Sequence, residues 1–181
     1  MADPSTWPAW ATEDVAVAEA DPRWADAGAA LAGLVGAALA PWLLEPVEHV
    51  GSTAVPGLAA KPVLDLHAVL GDLGAEVSPL LTAADVGGEW HLVPPGLDAR
   101  PWRRLHVLVR SGSRAAHLHL VTAGPEHDAV LAFRDALRAD EGLRQRYAEL
   151  KRRLAQGHRG DREGYTAAKT TFVRQALTGG G

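Results

Sequence analysis

Val63 to Leu70 is a near-continuous apolar run broken only by Asp65 and His67. Such a run reads as the buried central strand of a sheet. Side chains alternate along a strand, so Asp65 and His67 share one face. A carboxylate and an imidazole side by side bind a divalent metal, or one orients the other as a base. A carboxylate in an apolar strand needs a partner or an ion.

The remaining elements group around this strand. Trp24 to Ala40 carries Leu31, Leu34, Val35, Ala38 and Leu39 at helical spacing, and Pro41 ends it. The surrounding apolar stretch, Ala27 to Leu44, is rich in alanine and glycine and is expected not to span a membrane. Val47 to Val50 reads as a short strand, Gly51 to Ala60 as a turn-rich loop, Ala75 to Ala84 as a helix, and Glu89 to Val93 as a short strand. Arg104–Arg110 alternates. Ser111-Gly112-Ser113 turns the chain, and Ala115–Val121 follows, which makes a β-hairpin. The last third is helical: Val130, Phe133 and Leu137 mark one helix, and Leu143, Tyr147, Leu150 and Leu154 the next. Asp161 is placed to cap a final helix with Tyr165, Phe172, Val173 and Leu177. The expected fold is α+β, a small mixed sheet flanked by helices with a helical C-terminal third. Residues 1–18 read as an extension with Trp7 and Trp10, and 19–178 as one domain.

At 181 residues and 47% apolar content the chain can bury a core without staples. It has no cysteine, which excludes disulfide scaffolds and thiolate zinc sites and suits a reducing, cytoplasmic location. The net charge of −4 gives no global field for nucleic acid. Charge is uneven, however: residues 1–50 hold one base against eight acids, and residues 134–175 eleven bases against six acids.

Three further patterns point to a ligand. Glu48-His49-Val50-Gly51-Ser52-Thr53 runs a strand into a turn whose glycine allows close approach. Its hydroxyls and N–H groups suit phosphate oxygens. His117 and His119 share a strand face, and His-x-His can ligate a metal. Arg134 and Arg138 lie one turn apart, and Lys151, Arg152, Arg153 and Lys169 extend the cation set. These residues suit either phosphate clamping or pairing with acids. The phosphate loop of P-loop enzymes, the serine elbow and the zinc-protease helix are absent, and no organic cofactor is indicated.

Asp21-Pro22-Arg23-Trp24, Glu48 to Thr53, Val55-Pro56-Gly57-Leu58, Lys61 to Asp65, His117 to Val121, Phe133-Arg134-Asp135, Tyr147 to Lys151, and Tyr165 to Lys169 with Phe172 together resemble the GrpB family. The resemblance spans about residues 19–178. It implies a DNA polymerase beta-like nucleotidyltransferase fold. In that superfamily a Gly-Ser turn binds the triphosphate, and an Asp-x-Asp/Glu pair with a third carboxylate holds two magnesium ions. The family also occurs fused to dephospho-coenzyme A kinase. Gly51-Ser52 and Asp65 match that pattern. His67 and His119 stand at or near its other acidic positions, a set that suits manganese, zinc or iron better than magnesium.

The resulting expectation is a metal-assisted transferase acting on a small molecule with a nucleotide or phosphate-bearing ligand. Asp65, His67 and His119 are the expected catalytic and metal-binding residues, with magnesium or manganese ahead of zinc. Gly51, Ser52, Thr53, Lys61, Arg134, Arg138 and Lys169 form the expected phosphate side. The alternatives are a non-catalytic nucleotide or coenzyme A module and a different His/Asp-centred enzyme. Expected partners are a small-molecule or nucleotide ligand and a link to coenzyme A metabolism, with neither membrane nor nucleic acid.

Overall fold

The computed structural model describes residue 10 and residues 17–94, 98, 100–157 and 162–178. It describes their side chains except at 155–157 and 162–167. Trp7, the Asp161 cap and the side chain of Tyr165 lie outside the described residues.

Helix α1 spans Arg23–Leu39. Asp21 opens it by accepting the Arg23 N–H at 2.9 Å, one of the donors a helix start leaves free. Pro41 ends it in a 3-10 turn at Ala40–Trp42. Arg23–Trp42 has a mean hydropathy of 1.3 and enough length to cross a membrane by composition alone. In the fold, its Leu31, Val35 and Leu39 are buried in the core against the sheet.

Strand β1 (Glu48–Val50) leads through a 3-10 turn at Ser52–Ala54 to β2 (Leu64–Val69). Helix α2 (Ser78–Ala83) starts three residues later than the apolar pattern predicts. Pro79 explains the delay. It lacks an N–H and restricts the residue before it, so it fits only the first turn. Strands β3 (Glu89–Leu92), β4 (Arg103–Arg110) and β5 (Ser113–Val121) complete a sheet of order β1-β2-β5-β4-β3. Only the β2–β5 pair is parallel; the other three pairs are antiparallel. The β4–β5 hairpin turns at Ser111-Gly112, and a bulge after Leu108 breaks its alternation.

The sequence closes with α3 (Pro125–Ala139), α4 (Glu141–Gly157) and α5 (Arg162–Thr178). Asp140 breaks α3 from α4 and accepts the Leu143 N–H at 2.9 Å, a cap for α4.

Two cores hold the molecule together. The larger lies between the sheet and α1 and α2, and includes Leu31, Val35, Leu66, Leu81, Leu108, Leu118 and Leu120. The smaller joins α3, α4 and α5 to the loop after β1 through Phe133, Leu137, Leu143, Tyr147, Val55 and Leu58. The layout is the expected α+β one.

Candidate active site

The parallel pairing of β2 with β5 decides which polar residues meet. Asp65 stands opposite His117, and His67 opposite His119. All four lie on the sheet face away from α1, because their strand neighbours Leu66 and Leu118 are in the core with that helix. Asp65 Oδ1 is 2.9 Å from His117 Nδ1 and 3.5 Å from His119 Nε2. One ligand atom from each of the three falls within a 4.8 Å sphere of separations. The side chains are 31%, 22% and 13% exposed respectively, so a solute can reach them.

The hydrogen positions follow from the partners. Burial alone would raise the Asp65 carboxyl, but hydrogen bonds from His117 and His119 outweigh it and hold it well below the usual range. The ionised carboxylate only accepts, so both rings donate to it. Arg103 Nη1 donates to His119 Nδ1 at 3.1 Å, which agrees with a hydrogen on His119 Nε2. Arg103 is itself held by Asp98, whose Oδ2 accepts from Nε at 2.9 Å. Burial lowers His119, with the Asp65 hydrogen bond opposing it.

His67 lies beside His119, with ring centres 5.1 Å apart, but is not part of the Asp65-His117-His119 cluster. Its Nδ1 is 3.1 Å from Nδ1 of His127 on α3, and the rings stack at 5.4 Å. Burial first, then His119 and His127, lowers His67 to about 3. His127 Nε2 is 3.8 Å from Glu45 Oε2. Neither Glu45 nor His127 belongs to a pattern that the sequence displays.

Gly51 abuts the carboxylate. It has φ +72°, and a Cβ there would stand 2.5 Å from Asp65 Oδ2. Only glycine combines that backbone with that closeness. Ser52 is half-buried beside it. The buried Thr53 hydroxyl is taken up internally, 3.0 Å from His49 Nε2 and 3.4 Å from the Val63 carbonyl.

The two arginines of the expected phosphate wall bind the protein. Arg134 donates to Glu48 at 2.7 Å, to Asp135 at 2.8 Å and to the His49 carbonyl at 3.0 Å. Arg138 donates twice to the Ala54 carbonyl, at 3.0 and 2.9 Å. Arg134 thereby fastens β1 to α3, and Arg138 fastens the Ser52–Ala54 turn to it. Lys61 and Lys169 are half-buried. Lys151 is buried; it donates to the Ala59 carbonyl and lies 4.9 Å from the Tyr147 ring centre. Burial pushes it down to about 7, with Lys169 and Arg152 adding to the effect.

An α+β domain with one carboxylate and two imidazoles on an accessible sheet face is the class of molecule described by these observations. The chain belongs to the GrpB family, whose pattern matches residues 14–178. It is 34% identical over 164 residues to a UPF0157 protein of Halalkalibacterium halodurans, covering 90% of this chain and 80% of that one. The crystal structure of conserved protein GrpB from Enterococcus faecalis superposes with a TM-score of 0.72 at 28% identity, over 91% of this chain and 98% of that one. A dephospho-CoA kinase of Mycolicibacterium paratuberculosis is 34% identical over 156 residues, covering 72% of this chain but 37% of the kinase.

Proposed function

We propose that this chain is a metal-assisted transferase of the nucleotidyltransferase type, acting on a small phosphate-bearing molecule. Its centre is Asp65, His117 and His119. The observation that carries the reading is the convergence of one carboxylate oxygen and two ring nitrogens from adjacent strands on an accessible face. Ligand atoms about 2.1 Å from an ion stand about 3.0–3.4 Å apart. The spacings of 2.9 and 3.5 Å from Asp65 Oδ1 bracket that range. One oxygen and two nitrogens suit manganese, iron or zinc better than magnesium. A bound ion would supply charge for a phosphoryl oxygen and acidity for an attacking hydroxyl.

The chain's own residues do the positioning. Asp65 orients His117, Gly51 admits a ligand close to the carboxylate, and Ser52 stands beside that opening. With an ion held by these ring nitrogens the hydrogens would sit on the far nitrogens, and Arg103 would leave His119 Nδ1 and keep Asp98. The absence of cysteine fits a cytoplasmic setting.

Calorimetry of the metal-stripped protein with manganese and ATP tests the reading. One manganese per chain is expected, with ATP binding that depends on it, and both weakened at least tenfold in Asp65→Ala. A wild-type protein that takes up no ion, or an Asp65→Ala variant that binds equally well, overturns it.

The similarity to part of a dephospho-CoA kinase favours a second reading, a module that binds a nucleotide or coenzyme A without turnover. That reading predicts ligand binding that survives metal removal.

A further inference from the structure

On the other side of edge strand β1 there is an open cavity of about 610 Å³. His49 pairs with Leu66 and so faces the α1 side of the sheet, opposite Asp65. Its ring lies against α1 at Gly28, where a Cβ would be 2.1 Å from Nδ1. Ala25 and Ala29 continue that wall, and Ala54 and Pro56 form the facing one. Arg138 and Arg144 complete the lining.

The floor is rigid. The single Thr53 hydroxyl hydrogen goes to the Val63 carbonyl, so His49 Nε2 must donate to Thr53. The charge is only partly engaged: Arg138 donates from Nε and Nη2 to the Ala54 carbonyl, at 3.0 and 2.9 Å. Arg144 meets no carboxylate among the described residues; its Nη1 donates to the carbonyls of Leu137 at 3.0 Å and Arg138 at 3.5 Å. Arg138 reaches one exposed carboxylate, Asp135, at 3.3 Å. Two guanidiniums beside small apolar side chains suit an anionic head on an apolar body.

We infer that this cavity binds a small organic oxyanion, its phosphate or carboxylate head on Arg138 and Arg144 and its apolar part against Ala25, Ala29, Ala54 and Pro56. The site lies on the opposite sheet face from the proposed metal centre.

The test uses phenyl phosphate, benzoate and inorganic phosphate as probes, with binding followed by amide shifts at Ala29 and Ala54. Arg144→Gln removes one charge, and Ala29→Leu fills the cavity from an exposed helix position. Saturable binding of phenyl phosphate or benzoate is expected. It should weaken at least tenfold in each variant and stay unchanged in Asp65→Ala. The stronger of the two organic probes identifies the head group. Inorganic phosphate should bind more weakly than phenyl phosphate, for lack of the apolar body. No saturable organic binding, or binding that both variants leave intact, overturns the site. Binding lost only in Asp65→Ala overturns it too, and moves the ligand to the other face. Thermal melts of both variants confirm that they fold.

Discussion

Leu66 and Leu118 face each other on one side of the β2–β5 pair; Asp65 and His117 face each other on the other. The leucines are fully buried against α1 and α2, whereas the polar pair stays open to solvent. These residues are chain neighbours on the same two strands. The contrast teaches that one β-pair can carry a packed core on one side and a cluster of polar, ligand-type side chains on the other. A change at one residue should therefore be felt mainly on its own side.

The largest effect belongs to the packed side. Leu118→Ala should cost about 3 kcal/mol, since it leaves a cavity in the larger core. The adjacent His117→Ala should cost about 1 kcal/mol or less and abolish manganese binding. Denaturant unfolding beside metal titration checks the pair. Equal stability losses would break the division between the faces.

His106 is a fully buried polar residue on the packed side. It pairs with Leu118, is buried, and reaches Ser78 Oγ at 3.2 Å. Burial lowers it to about 4. In the unfolded chain it binds a proton near pH 6.5, so between pH 6.5 and 4 the unfolded state holds more protons. The stability is therefore present above pH 6.5 and falls as pH drops toward 4. The loss should be on the order of 2 kcal/mol. Unfolding curves from pH 7 to 4 should show a shallower fall in His106→Gln than in wild type.

The smallest effect sharpens the polar side. Gly51→Ala meets both a positive φ and the Asp65 carboxylate. It should cost about 1 kcal/mol of stability. Its manganese affinity should drop at least tenfold, because the alanine methyl displaces Asp65. Unchanged affinity would show that Asp65 tolerates the shift.

Much of this was legible in the sequence. The polar breaks at Asp65 and His67, the His117-x-His119 pair and the hairpin all follow from a side-chain period of two. Gly51 stood out as the glycine of a strand-to-turn transition. The meeting of Asp65 with His117, 52 residues apart, was not legible. Nor was the turn of His67 toward His127. Arg134 and Arg138 offered the same cationic pattern for a ligand as for β1 and the turn after it, and only packing shows which contacts they make.

The sequence by itself determined which residues share a face, because alternation along a strand is local backbone geometry. It also determined where α1 stops and α2 can start, since Pro41 and Pro79 act on their own neighbourhoods. The tertiary structure alone decided that β2 and β5 run parallel in the register that sets Asp65 against His117. It likewise decided that Lys151 is buried under Tyr147 and the Ala59 carbonyl. Register and burial come from the packing of distant segments, which no local pattern of residues encodes.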